Sequence, residues 1–371
     1  MRSLFVGILA MLAAMTGPAL AQSQPPRTYT QADIWTRNED RITFTLAGIR
    51  LPTRIGVLRL TRSVEASHEG RALDNALIFA SADEEVFATV YIYAPALPDA
   101  ALTAFMTDHA IKLQSGAELR TLRSGVVAAG GREGVAIRND YAGYRPQRLA
   151  SSAAFMRAGR WIIKFRISGP EARRAEVDEA MTVLLREMRF EGDTAPAPVR
   201  PVATTTCARG SGPVARPIAS TSAETMEDAI MGHRLGARVE GRTEISWCPS
   251  SQLQLANMSG PTPVLRATGT TGGGDSRRSV LVALVADNGT TIEVVERHFQ
   301  GRTRFVLMYH QVGRSSVLSA YASVPTDAQI QDILSGRDRE GGRIRAFIDY
   351  DASGDSRVTV NDAPRPEAPQ T

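Results

Sequence analysis

An α+β fold of two domains, each a mainly antiparallel sheet with one or two amphipathic helices packed on it, is what three features of this sequence predict. Alternating apolar runs follow one another with only short turns between them, which favours antiparallel pairing. Apolar stripes at three- and four-residue spacing stand singly between groups of such runs. A proline-rich stretch near the middle separates the two groups.

The clearest pair of elements runs from Arg160 to Arg189. Trp161, Ile163, Phe165 and Ile167 alternate with Lys164, Arg166 and Ser168, the pattern of a strand with one face in a core. Gly169-Pro170 predicts its end, with Pro170 preset for a first helical turn. Val177, Ala180, Met181, Leu184, Leu185 and Met188 then share one helical face, which is satisfied by lying on the sheet that holds the preceding strand.

Earlier in the chain, strands are expected at 42–46, 54–60, 75–80 and 86–94. A helix opening at Pro98 carries Leu102, Phe105, Met106, Ala110 and Leu113 as a stripe. Strands at 118–128, 132–141 and 148–157 complete an N-terminal domain over 28–190. Residues 191–206, with Pro196, Pro198 and Pro201 and no apolar period, predict an extended linker that tethers the domains.

The C-terminal domain is assigned to 207–362 and the remainder, 363–371, to a disordered tail. A short helix is expected at 222–233, and strands at 243–247, 252–256, 279–286, 290–297, 304–311 and 315–323. Asp287-Asn288-Gly289 between two β-rich runs signals a tight hairpin. Thr326 and Gln329 form a capping box for a helix at 327–335.

Arg2, an apolar run over 4–15 and the small-x-small Ala19-Leu20-Ala21 predict a signal peptide at 1–21, cleaved after Ala21, and a periplasmic or secreted product. No later run reaches the roughly 18 apolar residues of a membrane helix, so no transmembrane segment is expected in the mature chain. In such a compartment Cys207 and Cys248 are expected to form a disulfide. With 43 basic against 39 acidic residues the net charge is +4, which carries no signature of a nucleic-acid partner.

Charge is concentrated locally. Between Arg120 and Arg166 the acidic residues are Glu133 and Asp140 alone, against a long series of arginines. Arg138, Arg148, Arg160, Lys164 and Arg166 are expected to share an exposed face suited to the phosphate or carboxylate groups of an anionic envelope component.

Asp351-Ala-Ser353-Gly-Asp355 through Asp362 resembles an EF-hand calcium loop, which gives Asp351, Ser353, Asp355 and Asp362 as an alternative metal set. Ser356 stands where that loop needs glycine, Asp362 where it needs glutamate, and Pro364 forbids a regular exiting helix. The preferred reading is a hairpin turn between alternating residues 344–350 and a return strand at 357–360.

No nucleophile elbow, Ser-x-x-Lys pair or metal-spaced histidine pair occurs, and the glycine-rich 268–275 lacks the lysine of a phosphate loop. No cofactor is implied. The function expected is therefore an exported, non-catalytic binding or accessory module. The alternative is a hydrolase whose triad, with His298 or His310 as base, assembles from residues distant in sequence.

Overall fold

The computed structural model describes residues 27–67, 70–144, 148–192, 194–208, 212–237, 245–255, 260–268, 277–299 and 301–361. The expected signal segment at 1–21, the tail at 363–371, the glycine-rich residues 269–275 and Asp362 lie outside the described residues.

Three antiparallel sheets dominate, joined by helices α1 (Gln31–Ile34), α2 (Ala100–Ser115), α3 (Arg174–Glu187), α4 (Ser222–Ala237) and α5 (Asp327–Leu334). The expected α+β class is corrected in balance. The antiparallel sheets with helices on them are present, but strands so outweigh helices that the architecture is mainly β.

In the N-terminal half an eight-stranded sheet runs in the order Arg54–Ile55, Leu58–Glu65, Asp74–Ala80, Phe87–Tyr93, Trp161–Pro170, Leu149–Ala158, Arg132–Tyr144, Arg120–Ala129. A second sheet joins Trp35–Arg37, Arg41–Phe44, Ile49–Pro52 and Arg189–Phe190, so the residues just after α3 return to pair with the start of the chain. The C-terminal half is a meander in sequence order from Ser246–Leu253 to Ser356–Val360, and Pro217–Ile218 pairs with the far end of Arg314–Tyr321.

Trp161, Ile163, Phe165 and Ile167 do face α3, and with Val177, Ala180, Met181 and Leu184 they form one core. The other side of the same strand is not solvent. α2 lies across it, so Ile162 packs with Ala101, Ala104, Ile111 and Phe155, and Lys164 is only 7% exposed. The expected break at Gly169-Pro170 is also displaced. Both residues stay in the strand, paired with Ala150 and Leu149, and a short 3-10 turn at Glu171–Arg173 precedes α3. Pro170 at a strand end has no ladder hydrogen bond to forfeit, and a side chain at Gly169 would run into Val86.

α2 is apolar on more than one side because it is buried on more than one side. Ala100, Ala101, Ala104 and Ile111 meet the eight-stranded sheet, whereas Leu102 and Met106 meet Trp247, Leu265, Val282 and Leu284 of the C-terminal sheet. The C-terminal sheet in turn takes α4 beside that contact, through Ala229, and α5 on its opposite face, through Ile330 and Ile333.

This contact corrects the expectation of domains held only by a tether. Ala96 N–H donates to the Gln311 carbonyl and Gly313 N–H to the Ala94 carbonyl, each at 3.0 Å, around a bridge between Pro95 and Val312. The described part of 191–206 is anchored along both halves. Ala197 and Val199 N–H groups donate to Arg157 and Gly134, and Ala203 N–H donates to Trp247. The proline-rich backbone forms no ladder of its own, so it satisfies its few donors on its neighbours.

The Asp-Asn-Gly hairpin is present, with Gly289 at φ 87° and Val285 N–H bonded to the Thr290 carbonyl. The strands expected at 243–247 and 252–256 are one strand, Ser246–Leu253, and Thr262–Thr268 is a further strand that its short, partly polar run concealed. Cys207 and Cys248 are disulfide-bonded, with Cα atoms 5.7 Å apart.

Candidate functional site

The five basic residues singled out by the sequence do not share one face. Arg138 sits on the α3 side of the eight-stranded sheet, 4% exposed, donating to Asp140 at 2.9 Å, Asp178 at 3.3 Å and Thr182 at 3.2 Å. Lys164 sits on the α2 side, bonded to Asp287 at 2.7 Å and 5.6 Å above the Tyr91 ring. Arg166 stacks on Tyr144 at 4.5 Å. Arg160 reaches the C-terminal half, where Nη1 donates to the Asp351 carbonyl at 2.6 Å. Arg148 is exposed at the turn into its strand. Strand alternation set Arg138 on one face and Lys164 and Arg166 on the other, and the burial of Arg138 and Lys164 is met by Asp140, Asp178 and Asp287.

The Asp351 segment forms the hairpin between Ala346–Tyr350 and Ser356–Val360. Asp351 Oδ1 accepts from Gly354 N–H and Asp355 N–H, each at 3.0 Å, and from the Ser353 hydroxyl at 2.5 Å. Its carbonyl holds the Arg160 guanidinium. The oxygens that would ligate calcium thus serve an Asx turn and a cation already present. No group of three or more potential metal ligands occurs among the described residues.

A constellation that no sequence motif announced lies in the C-terminal sheet. His310 Nδ1 is 2.8 Å from Ser315 Oγ, and His310 Nε2 is 2.9 Å from Glu293 Oε2. The Ser279 hydroxyl donates to the other oxygen of Glu293. A neutral imidazole protonated on Nε2 satisfies both contacts, which is the hydrogen-bond order of a serine–histidine–carboxylate triad. Register explains the assembly. His310 lies opposite Ser315 across the short turn of one hairpin and opposite Thr291 in the next, which brings Glu293 alongside. Glu293 and Ser315 are fully buried and His310 is 3% exposed, so an acyl carbon has no approach to Ser315 Oγ.

Open space lies elsewhere. A cleft of about 430 Å³ opens where the last turn of α3 overhangs the strand Arg120–Ala129. Val127, Ala128 and Leu185 give it an apolar floor, and Arg138, Arg186 and Arg189 stand around it. Arg189 Nη1 donates to the Arg186 and Met188 carbonyls at 2.6 and 2.7 Å, closing the C-terminus of α3. The strand beside the cleft is an edge of its sheet. Of the expected anionic-face residues, only Arg138 reaches this place.

Arg297 and Arg304, both buried, hold α4 to the sheet through Asp228, at 3.5 and 2.7 Å. Burial outweighs both arginines and pushes the Asp228 carboxyl up to about 6. The group is inside the structure and serves docking of the helix.

No protein-family model matches this chain, and no curated protein matches it.

Proposed function

We propose that this chain is a non-catalytic binding or accessory module of the cell envelope, acting on an anionic partner. The observation that carries the reading is a contrast of access. The Ser315–His310–Glu293 constellation is sealed inside the core, while the cleft and edge strand beside α3 are open and bordered by arginines. The Cys207–Cys248 bridge supports an oxidising compartment, and no helix among the described residues is long and apolar enough to cross a membrane.

Assay of the purified chain against p-nitrophenyl acetate and butyrate tests the reading. The expected result is no turnover above that of the S315A variant. Turnover abolished by S315A would replace this reading with a hydrolase, the second reading that the hydrogen-bond order of the constellation favours.

A further inference from the structure

We infer that the edge strand Arg120–Ala129 receives an extended, acidic and apolar segment of a partner protein by strand addition, with one partner side chain entering the cleft under α3. The inference rests on the binding reading above and names its partner.

This strand is ten residues long, whereas the opposite edge of the same sheet, Arg54–Ile55, has two. Among the described residues no strand pairs with its outer side, so a row of backbone donors and acceptors faces outward. Bulges at Thr121/Arg123 and Val127/Ala129 bound a regular stretch from Arg123 to Val127. Leu122 and Val126 are 50% and 41% exposed, and a side chain at Gly125 would meet nothing within 4 Å. An approaching backbone therefore finds apolar contacts and room.

Charge selects the occupant. Arg120, Arg123, Arg186 and Arg189 are exposed around the strand and the cleft. The pairing of Arg123 with Asp140 is 3.4 Å long and leaves the arginine side chain 57% exposed. Antiparallel pairing of two copies about Gly125 would set Arg120 opposite Gly130 and Arg123 opposite Val127, so neither arginine would meet a carboxylate of the second copy. A partner strand with acidic residues at alternate positions meets the arginines on the α3 side, where one of its acidic side chains enters the cleft, and its apolar residues, on the other face, meet Val126.

Fluorescence anisotropy of the whole disulfide-bonded chain with a labelled, end-capped decapeptide of alternating valine and aspartate tests this. Binding is expected to weaken about tenfold with R123E and again at high salt, and an alternating valine–lysine peptide is expected not to bind. Because Arg123 also touches Asp140, S124E, at an exposed neighbour, is the second variant and is expected to weaken binding too. Two copies of the acidic peptide, N-methylated at alternate nitrogens in the two possible registers, separate backbone pairing from simple charge attraction. One register is expected to abolish binding, and hydrogen exchange is expected to slow at 120–129 in the complex. No binding at millimolar peptide, equal binding of both methylated copies, or protection elsewhere would overturn the inference. So would a dimer of the free chain that V126K dissolves, which would assign the edge to a second copy. None of these outcomes touches the esterase result, so the binding reading stands or falls separately.

Discussion

The Trp247 indole N–H donates to Asp99 Oδ2 at 3.0 Å, while Asp99 Oδ1 accepts the Ala101 and Leu102 N–H groups at 2.9 and 3.1 Å. One carboxylate thus caps α2 in the N-terminal half and ties down a fully buried tryptophan of the C-terminal sheet. Replacing Asp99 by alanine removes a helix cap and orphans a buried donor together, an expected cost of roughly 2 to 3 kcal/mol. W247F, which leaves the cap intact, should cost less in urea titrations. Equal losses would show that the two roles are not shared by this carboxylate.

The Cys207–Cys248 bridge closes a loop of 41 residues. The chain-entropy relation gives about 4 kcal/mol for a loop of that length. Reduction with dithiothreitol, or the paired change to serine, is expected to lower the urea midpoint and to steepen the slope, because the unbridged unfolded chain exposes more surface.

Removing the imidazole at position 310 should be worse than removing the whole hydrogen-bonded pair. H310L leaves Glu293 at zero exposure without its histidine, an expected cost of roughly 3 to 5 kcal/mol. E293L/H310L should be the more stable of the two variants by calorimetry, because no buried carboxylate then remains. The reverse order would argue that Glu293 is well served by its other contacts.

Asp228 gives the pH prediction. Its folded-state value of about 6 lies above the ordinary 3.8, so between these limits the native state binds a proton that the unfolded chain does not. The penalty is present above pH 6 and is relieved as pH falls toward 4. Relative to D228N, the native protein should therefore gain about 2 kcal/mol between pH 7 and pH 4. A pH-independent difference between the two would contradict this.

Calcium should leave the Asp351 hairpin unchanged. Because the Asp351 carbonyl faces a guanidinium and its carboxylate caps the turn, isothermal titration at millimolar calcium is expected to show no heat and thermal unfolding no shift. A saturable heat lost in D351N would revive the metal reading.

Local order was readable from sequence wherever a period or a turn was at stake. The Trp161 and Leu184 stripes, the Asp287-Asn288-Gly289 hairpin and the Thr326 capping box appear where spacing and turn chemistry placed them. Relations across the chain were not. Lys164 alternates onto a polar-looking face, and nothing nearby indicates that Asp287 and α2 will cover it. The two-sided burial of α2 had a faint signal in its alanines, which are compatible with either a weak helix or a tightly enclosed one. Glu293, His310 and Ser315 meet through pairing register, which leaves no fixed motif spacing in the primary sequence. The cleft beside Arg138 exists because α3 ends over a sheet edge, a fact about the height of one element above another.

The helix enclosed between the sheets also imposes an order of assembly. A chain emerging N-terminus first completes the eight strands of its first sheet well before the partners of Leu102 and Met106 have been made. Until Trp247, Leu265 and Val282 arrive, that oily ridge has only water or a chaperone to lie against. Fragments ending near residue 206 should therefore clump, and the second half, arriving late, acts as the stopper that covers the ridge.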